Sequence, residues 1–116
     1  MIYLLLALAT VESGGRANAV GDAGAAFGVL QIHECVVIDV NRFAGTNYTH
    51  TDAFEPEKAK AMAHIYLNGY VTETRLGRKP TTEDYARVWN GGPNGFKNPK
   101  TLKYWLKVQA NLPPRQ

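Results

Sequence analysis

Two carboxylates stand out by what surrounds them. Glu12 closes an apolar run from Ile2 to Val11, and Asp22 follows ten residues later in the stretch Gly21-Asp22-Ala23-Gly24-Ala25-Ala26-Phe27-Gly28. The run is built almost entirely of Leu, Ala, Ile and Val, so it reads as a helix apolar all round and buried in a core. A carboxyl at the edge of such a helix is partly desolvated, which disfavours its charged form and raises its pKa. It then keeps its proton near neutral pH, as a general acid must when it protonates a leaving oxygen. Gly14 and Gly15 end the helix at once. Glycines in the following loop let backbone approach a ligand closely, and Gln31 can both donate and accept hydrogen bonds. Two carboxylates placed in this way are the raw material of a glycosidase site.

The elements that must position these groups follow from periodicity. Val36, Val37, Val40 and Phe43 recur at helical spacing and predict a helix over residues 33–43, closed by Gly45. Cys35 is expected to be a small buried hydrophobe on that helix. Asp39 and Arg42 form an i, i+3 pair on it. Pro56 opens the longest amphipathic helix, with Ala59, Met62, Ala63, Tyr66, Leu67 and Tyr70 inward and an expected end near Gly77. Thr81 and Asp84 have capping-box spacing ahead of Tyr85, Ala86, Val88 and Trp89. The run Asn90-Gly91-Gly92-Pro93-Asn94-Gly95 predicts an irregular turn. A last helix is expected over residues 100–111, with Leu102, Trp105, Leu106 and Val108 inward. The result is one mainly α domain over residues 1–116, with at most a short β-ribbon near Val29 and Ile32.

These residues resemble a known superfamily. Glu12-Ser13 followed by Gly24-Ala25-Ala26-Phe27-Gly28-Val29-Leu30-Gln31-Ile32 is similar to the signature of lytic transglycosylases and goose-type lysozymes. Ala86-Arg87-Val88-Trp89-Asn90-Gly91-Gly92-Pro93 is similar to that superfamily's Tyr-Asn-x-Gly-Pro segment, in the Asn-Gly-Gly-Pro form found in small phage and bacterial muralytic proteins. The resemblance implies a compact lysozyme-like fold and cleavage of the β-1,4 bond between N-acetylmuramic acid and N-acetylglucosamine in peptidoglycan. It implies Glu12 as the catalytic acid, and substrate contacts from Ser13, Gln31, Tyr85, Trp89 and Asn90. Trp89 stands where many relatives carry Tyr, so any hydrogen bond from that position to the acid must come from the indole N–H or be lost. Gly21-Asp22-x-Gly is similar to the goose-type Gly-Asp-x-Gly loop and offers Asp22 as a general base for hydrolysis. The alternative is a lytic transglycosylase forming 1,6-anhydro products with Glu12 alone. His33 departs from the acidic residue that goose-type enzymes carry near this place, and a structural role is expected for it.

Charge is distributed unevenly. Residues 1–75 hold five Lys or Arg against eight Asp or Glu, whereas residues 76–116 hold eight against two. A basic surface suits an anionic polymer, which the resemblance identifies as bacterial cell wall. Nucleic acid is not expected as a partner, because no helix-turn-helix or aromatic-basic motif accompanies the charge. A non-catalytic wall-binding or virion module is the remaining alternative, disfavoured because Glu12, Gln31 and the Asn-Gly-Gly-Pro turn occur together. The three histidines show no ligand spacing, so no metal or cofactor is expected. The opening run is too short to span a bilayer. No Lys or Arg precedes it, and cleavage after Ala9 would strip the helix from Glu12, so it does not read as a signal peptide. The expectation is therefore a monomer that acts on the wall after release by a holin or delivery by a virion.

Overall fold

The computed structural model describes residues 1–114. Six helices pack around a core in which α3 (Pro56–Tyr70) is central. Met62, Ala63 and Leu67 of α3 are fully buried together with Leu8, Leu30, Ile32, Val40, Val88 and Val108. Burying side chains of this size stabilises by about 1.5–3 kcal/mol each.

Helix α1 (Ile2–Ser13) buries Leu4, Leu5, Ala7, Leu8 and Ala9 but leaves Ile2, Tyr3 and Leu6 in solvent. It is therefore a flank of the core and not its centre, a correction to the reading of the run as buried all round. Gly14 ends it in a left-handed conformation, φ 67°, with the Gly14 N–H donating to the Thr10 carbonyl. Its last turn carries Glu12.

The ribbon lies earlier than expected. β1 (Val20–Gly21) pairs antiparallel with β2 (Ala26–Phe27), Val20 facing Phe27 and Gly21 facing Ala26. Ile32 joins only through a single bridge to Phe27. Between them Gly28 and Gln31 adopt φ 81° and 52°, which turns the chain instead of extending it. A Cβ on Gly28 would collide with the Ala53 carbonyl, so both conformation and packing demand glycine there.

Helix α2 (Glu34–Ala44) ends at Gly45, near the expected boundary. Cys35 is exposed on it, against expectation, because Val37 and Val40 take the buried face. α3 stops at Tyr70, well before Gly77. Val71 and Thr72 are non-helical, and the Thr72 hydroxyl caps a separate short helix α4 (Glu73–Leu76) by accepting from the Arg75 N–H. Helix α5 (Thr82–Gly91) starts with the expected capping box of Thr81 and Asp84. A 3-10 turn over Pro99–Thr101 leads into α6 (Leu102–Gln109), shorter than anticipated. Leu102 and Leu106 of α6 face solvent against expectation, Val108 is buried as expected, and Tyr104 also turns inward.

Candidate active site

Glu12 projects from the end of α1 and is half-buried. The Tyr104 hydroxyl of α6 donates to its Oε2 at 2.8 Å, joining residues 92 positions apart. Burial drives the Glu12 carboxyl above its ordinary range. The Tyr104 bond opposes that by favouring the charged form, the negative charge of Asp22 pushes the same way as burial, and His33 counters it. Burial dominates, and the net direction is upward. The Tyr104 hydroxyl is itself pushed far up by burial and by the adjacent carboxylate, so it stays a donor throughout the physiological range.

Asp22 stands at the tip of the hairpin. Its φ of 49° and that of Ala23, 56°, place two consecutive non-glycine residues in the left-handed region. Such backbone costs about 1–2 kcal/mol per residue and persists where the surroundings impose it. Here the two-residue ladder and the Ala25 N–H, which donates to the Gly21 and Asp22 carbonyls, impose it. Its carboxylate accepts from His33 Nε2 at 2.8 Å, with 68% of the Asp22 side chain exposed.

Ser13 and Gln31 hold the loop to the helix. The Ser13 hydroxyl donates to the carbonyls of Ala9 and Val29 and accepts from the Gly15 N–H. Ser13 is buried, and these bonds make it a joint between α1 and the loop. The Gln31 amide donates to the carbonyls of Ala19 and Gly28, across the base of the hairpin. Both donors are occupied there, so Gln31 shapes the loop that presents Asp22.

On α5, Asn90 is exposed in the last turn, while Tyr85 and Trp89 are half-buried against the core. The Trp89 ring meets Tyr66 edge to face, centroids 5.7 Å apart. The hydroxyl that contacts the acid belongs to Tyr104, so the loss feared from Trp89 is made good from another helix. The glycine-rich turn after α5 is clamped. Arg75 donates to the carbonyls of Tyr70 and Pro93 and to Asn94 Oδ1, and Arg87 donates to Thr101 Oγ1 and the Asn98 carbonyl. Tyr104, Arg75 and the partner of His33 escaped sequence reasoning. Only the inward spacing of Tyr104 with Val108 hinted at the first.

A groove of about 920 Å³ lies at the far end of α1, lined by Tyr3, Leu4, Pro80, Glu83 and Trp105 among others, and Glu12 does not border it. Among the described residues no group of three or more His, Cys, Asp or Glu could hold a metal ion, and no helix is long and apolar enough to cross a membrane.

The family described as Transglycosylase SLT domain matches residues 1–111. A lysozyme of Ostrea edulis is 30% identical over 82 residues, which is 71% of this chain and 57% of that protein. A lysozyme of Magallana gigas is 44% identical over 50 residues, 43% of this chain and 35% of that protein. The chain thus spans roughly a third to just over a half of the length of these relatives. Among solved structures, the Tapes japonica lysozyme superposes with a TM-score of 0.77 at 28% identity, covering 94% of this chain and 88% of that one. A chain in the complex of Aeromonas hydrophila PliI with Meretrix lusoria lysozyme does so with a TM-score of 0.79 at 29% identity, covering 95% and 88%.

Proposed function

The chain belongs to the Transglycosylase SLT domain family, and from that premise we propose that it is a peptidoglycan-cleaving glycosidase of the lysozyme type, with Glu12 as general acid and Asp22 as general base. The observation that carries this reading is the Glu12 carboxyl itself. Burial holds it toward its protonated form, the Tyr104 hydroxyl fixes its orientation at 2.8 Å, and the charge of Asp22 reaches it from the facing loop.

Glu12 gives its proton to the oxygen between N-acetylmuramic acid and N-acetylglucosamine as that bond breaks, and becomes a carboxylate that Tyr104 stabilises. A water then adds to the sugar carbon while Asp22 takes its proton. Asp22 Oδ2 is held by His33, and no described protein donor occupies Oδ1, which leaves that oxygen to accept from water. Asn90, exposed at the end of α5, supplies an amide suited to N-acetyl groups, and Tyr85 and Trp89 stand half-buried on the same helix.

The second reading rests on the family description, which names a transglycosylase, whereas the similar proteins are lysozymes. In it Glu12 first protonates the leaving oxygen, then accepts the proton of the sugar's own 6-hydroxyl as the 1,6-anhydro ring closes, and Asp22 takes no part. Mass spectrometry of muropeptides released from purified peptidoglycan separates the two. Hydrolysis leaves reducing N-acetylmuramic acid, and ring closure leaves products lighter by one water. Asp22→Asn abolishes release only under hydrolysis.

A further inference from the structure

We propose that His33 is a positioning residue for Asp22: it fixes the direction of that carboxylate so that one oxygen is left to face the water it activates. The inference rests on the general-base role given to Asp22 above.

The two partners differ in how firmly they are held. His33 sits immediately before α2, its carbonyl accepting from the Val36 N–H and its neighbour Ile32 bridged to Phe27. Asp22 sits at the tip of a two-residue ladder, with most of its side chain in solvent. The backbone at Asp22 is over-determined, but among the described residues its side chain has a single hydrogen-bond partner, His33 Nε2 at 2.8 Å. Without it the carboxylate would be free to exchange rotamers, and a base must be aligned with the proton it removes. The imidazole N–H engages Oδ2 alone, so Oδ1 stays available.

Stability does not account for the pair. Both side chains are substantially exposed, 43% for His33 and 68% for Asp22, and exposed ion pairs add little to folding. What the contact does is orient. Glu12 of α1 is a charged group on a facing element that feels both partners. Glu34, the next residue on α2, is exposed. His33 therefore belongs to the same cluster as the two carboxylates. An acidic residue in its place would repel Asp22 where the imidazole draws it in.

The test compares His33→Ala, His33→Gln, Asp22→Asn and the double variant Asp22→Asn/His33→Ala, measuring kcat and KM on solubilised peptidoglycan fragments together with thermal stability. His33→Ala is expected to lose about 10–100-fold in kcat, because the base is misaligned, with KM changed less than about twofold and the melting temperature nearly unmoved. His33→Gln, whose amide N–H reaches the position of the imidazole Nε2, should recover most of that loss. The double variant should be no slower than Asp22→Asn, because His33 acts only through Asp22. Wild-type kcat in His33→Ala, multiplying losses in the double variant, or failure of glutamine to recover activity would each overturn the inference while leaving Asp22 as the base. Near-normal activity in Asp22→Asn would remove the base reading itself, and this inference with it.

Discussion

Removing one hydroxyl, by Tyr104→Phe, probes the candidate acid most finely. In the wild type the Tyr104 O–H donates to Glu12 Oε2 at 2.8 Å from a half-buried position. A hydrogen bond to a charged acceptor contributes about 1.5–3 kcal/mol. Water can partly replace it here because Glu12 is not fully enclosed, so the lower end, about 1.5 kcal/mol, applies. For a domain of this size that is a fall of about 6 °C in melting temperature. The loss should depend on pH. The bond favours the carboxylate, so it contributes most where Glu12 is ionised, and the deficit should shrink as pH falls through the raised folded values of Glu12, which lie above the ordinary 4.5. The same sign governs catalysis. Burial has raised Glu12 and Tyr104 restrains the rise, so without the hydroxyl Glu12 keeps its proton to higher pH. The alkaline limb of the rate profile should then move upward, even as kcat falls because the acid is less well oriented. Muropeptide release across pH, with melting temperatures at each pH, reads both effects. An alkaline limb that stays put or moves downward would refute the assignment of that limb to Glu12 under Tyr104's control.

Further perturbations test the other parts of the site and its supports. Glu12→Gln removes a carboxyl whose folded value lies above 4.5; the stability of the protonated acid is fully present below 4.5 and is lost as pH rises through the folded value, so the variant should gain on wild type with increasing pH and match it in acid, as paired thermal melts would show. Asp84→Ala should destabilise by about 2–3 kcal/mol in urea titration, since it deletes the acceptor of two Arg78 bonds at 2.6 and 2.7 Å and strands the Thr81 N–H at the start of α5. Burial alone would raise Asp84, but Arg78 and Thr81 hold it below its usual 3.8, so its contribution in the wild type should persist above 3.8 and vanish as acid titrates through the lowered value. Gly28→Ala should cost more than about 2 kcal/mol in the same titration, because φ 81° and the Ala53 carbonyl both exclude a Cβ.

The parts of this fold that were legible in the sequence are those set by local chemistry. The Thr81–Asp84 capping box, the glycine stops at Gly14 and Gly45, and the inward face of α3 from Ala59 to Leu67 all lie where local pattern puts them. Glu12 and Asp22 were singled out because a carboxylate ending an apolar helix and another in a glycine loop are local features. What escaped was set by long-range packing. Nothing near Tyr104 announces that it reaches a residue 92 positions away, and the rotation of α6 that brings it there also turns Leu102 and Leu106 outward. Ser13 and Gln31 resembled substrate contacts because their polar groups suit sugars. Only the folded chain reveals the backbone bonds they also make, Ser13 to Val29 and Gln31 to Gly28. The break at Val71 and Thr72 was masked by an apolar period that continues to Leu76 in a second helix.

The central claim, that Glu12 drives cleavage of the glycan, is tested most directly by mass spectrometry of the muropeptides released from purified peptidoglycan by wild type and Glu12→Gln. The account predicts products ending in reducing N-acetylmuramic acid from the wild type and none from the variant, which should stay folded with its Tyr104 contact kept by the glutamine carbonyl. Equal release by the two proteins, or binding to the wall without release by either, would contradict it.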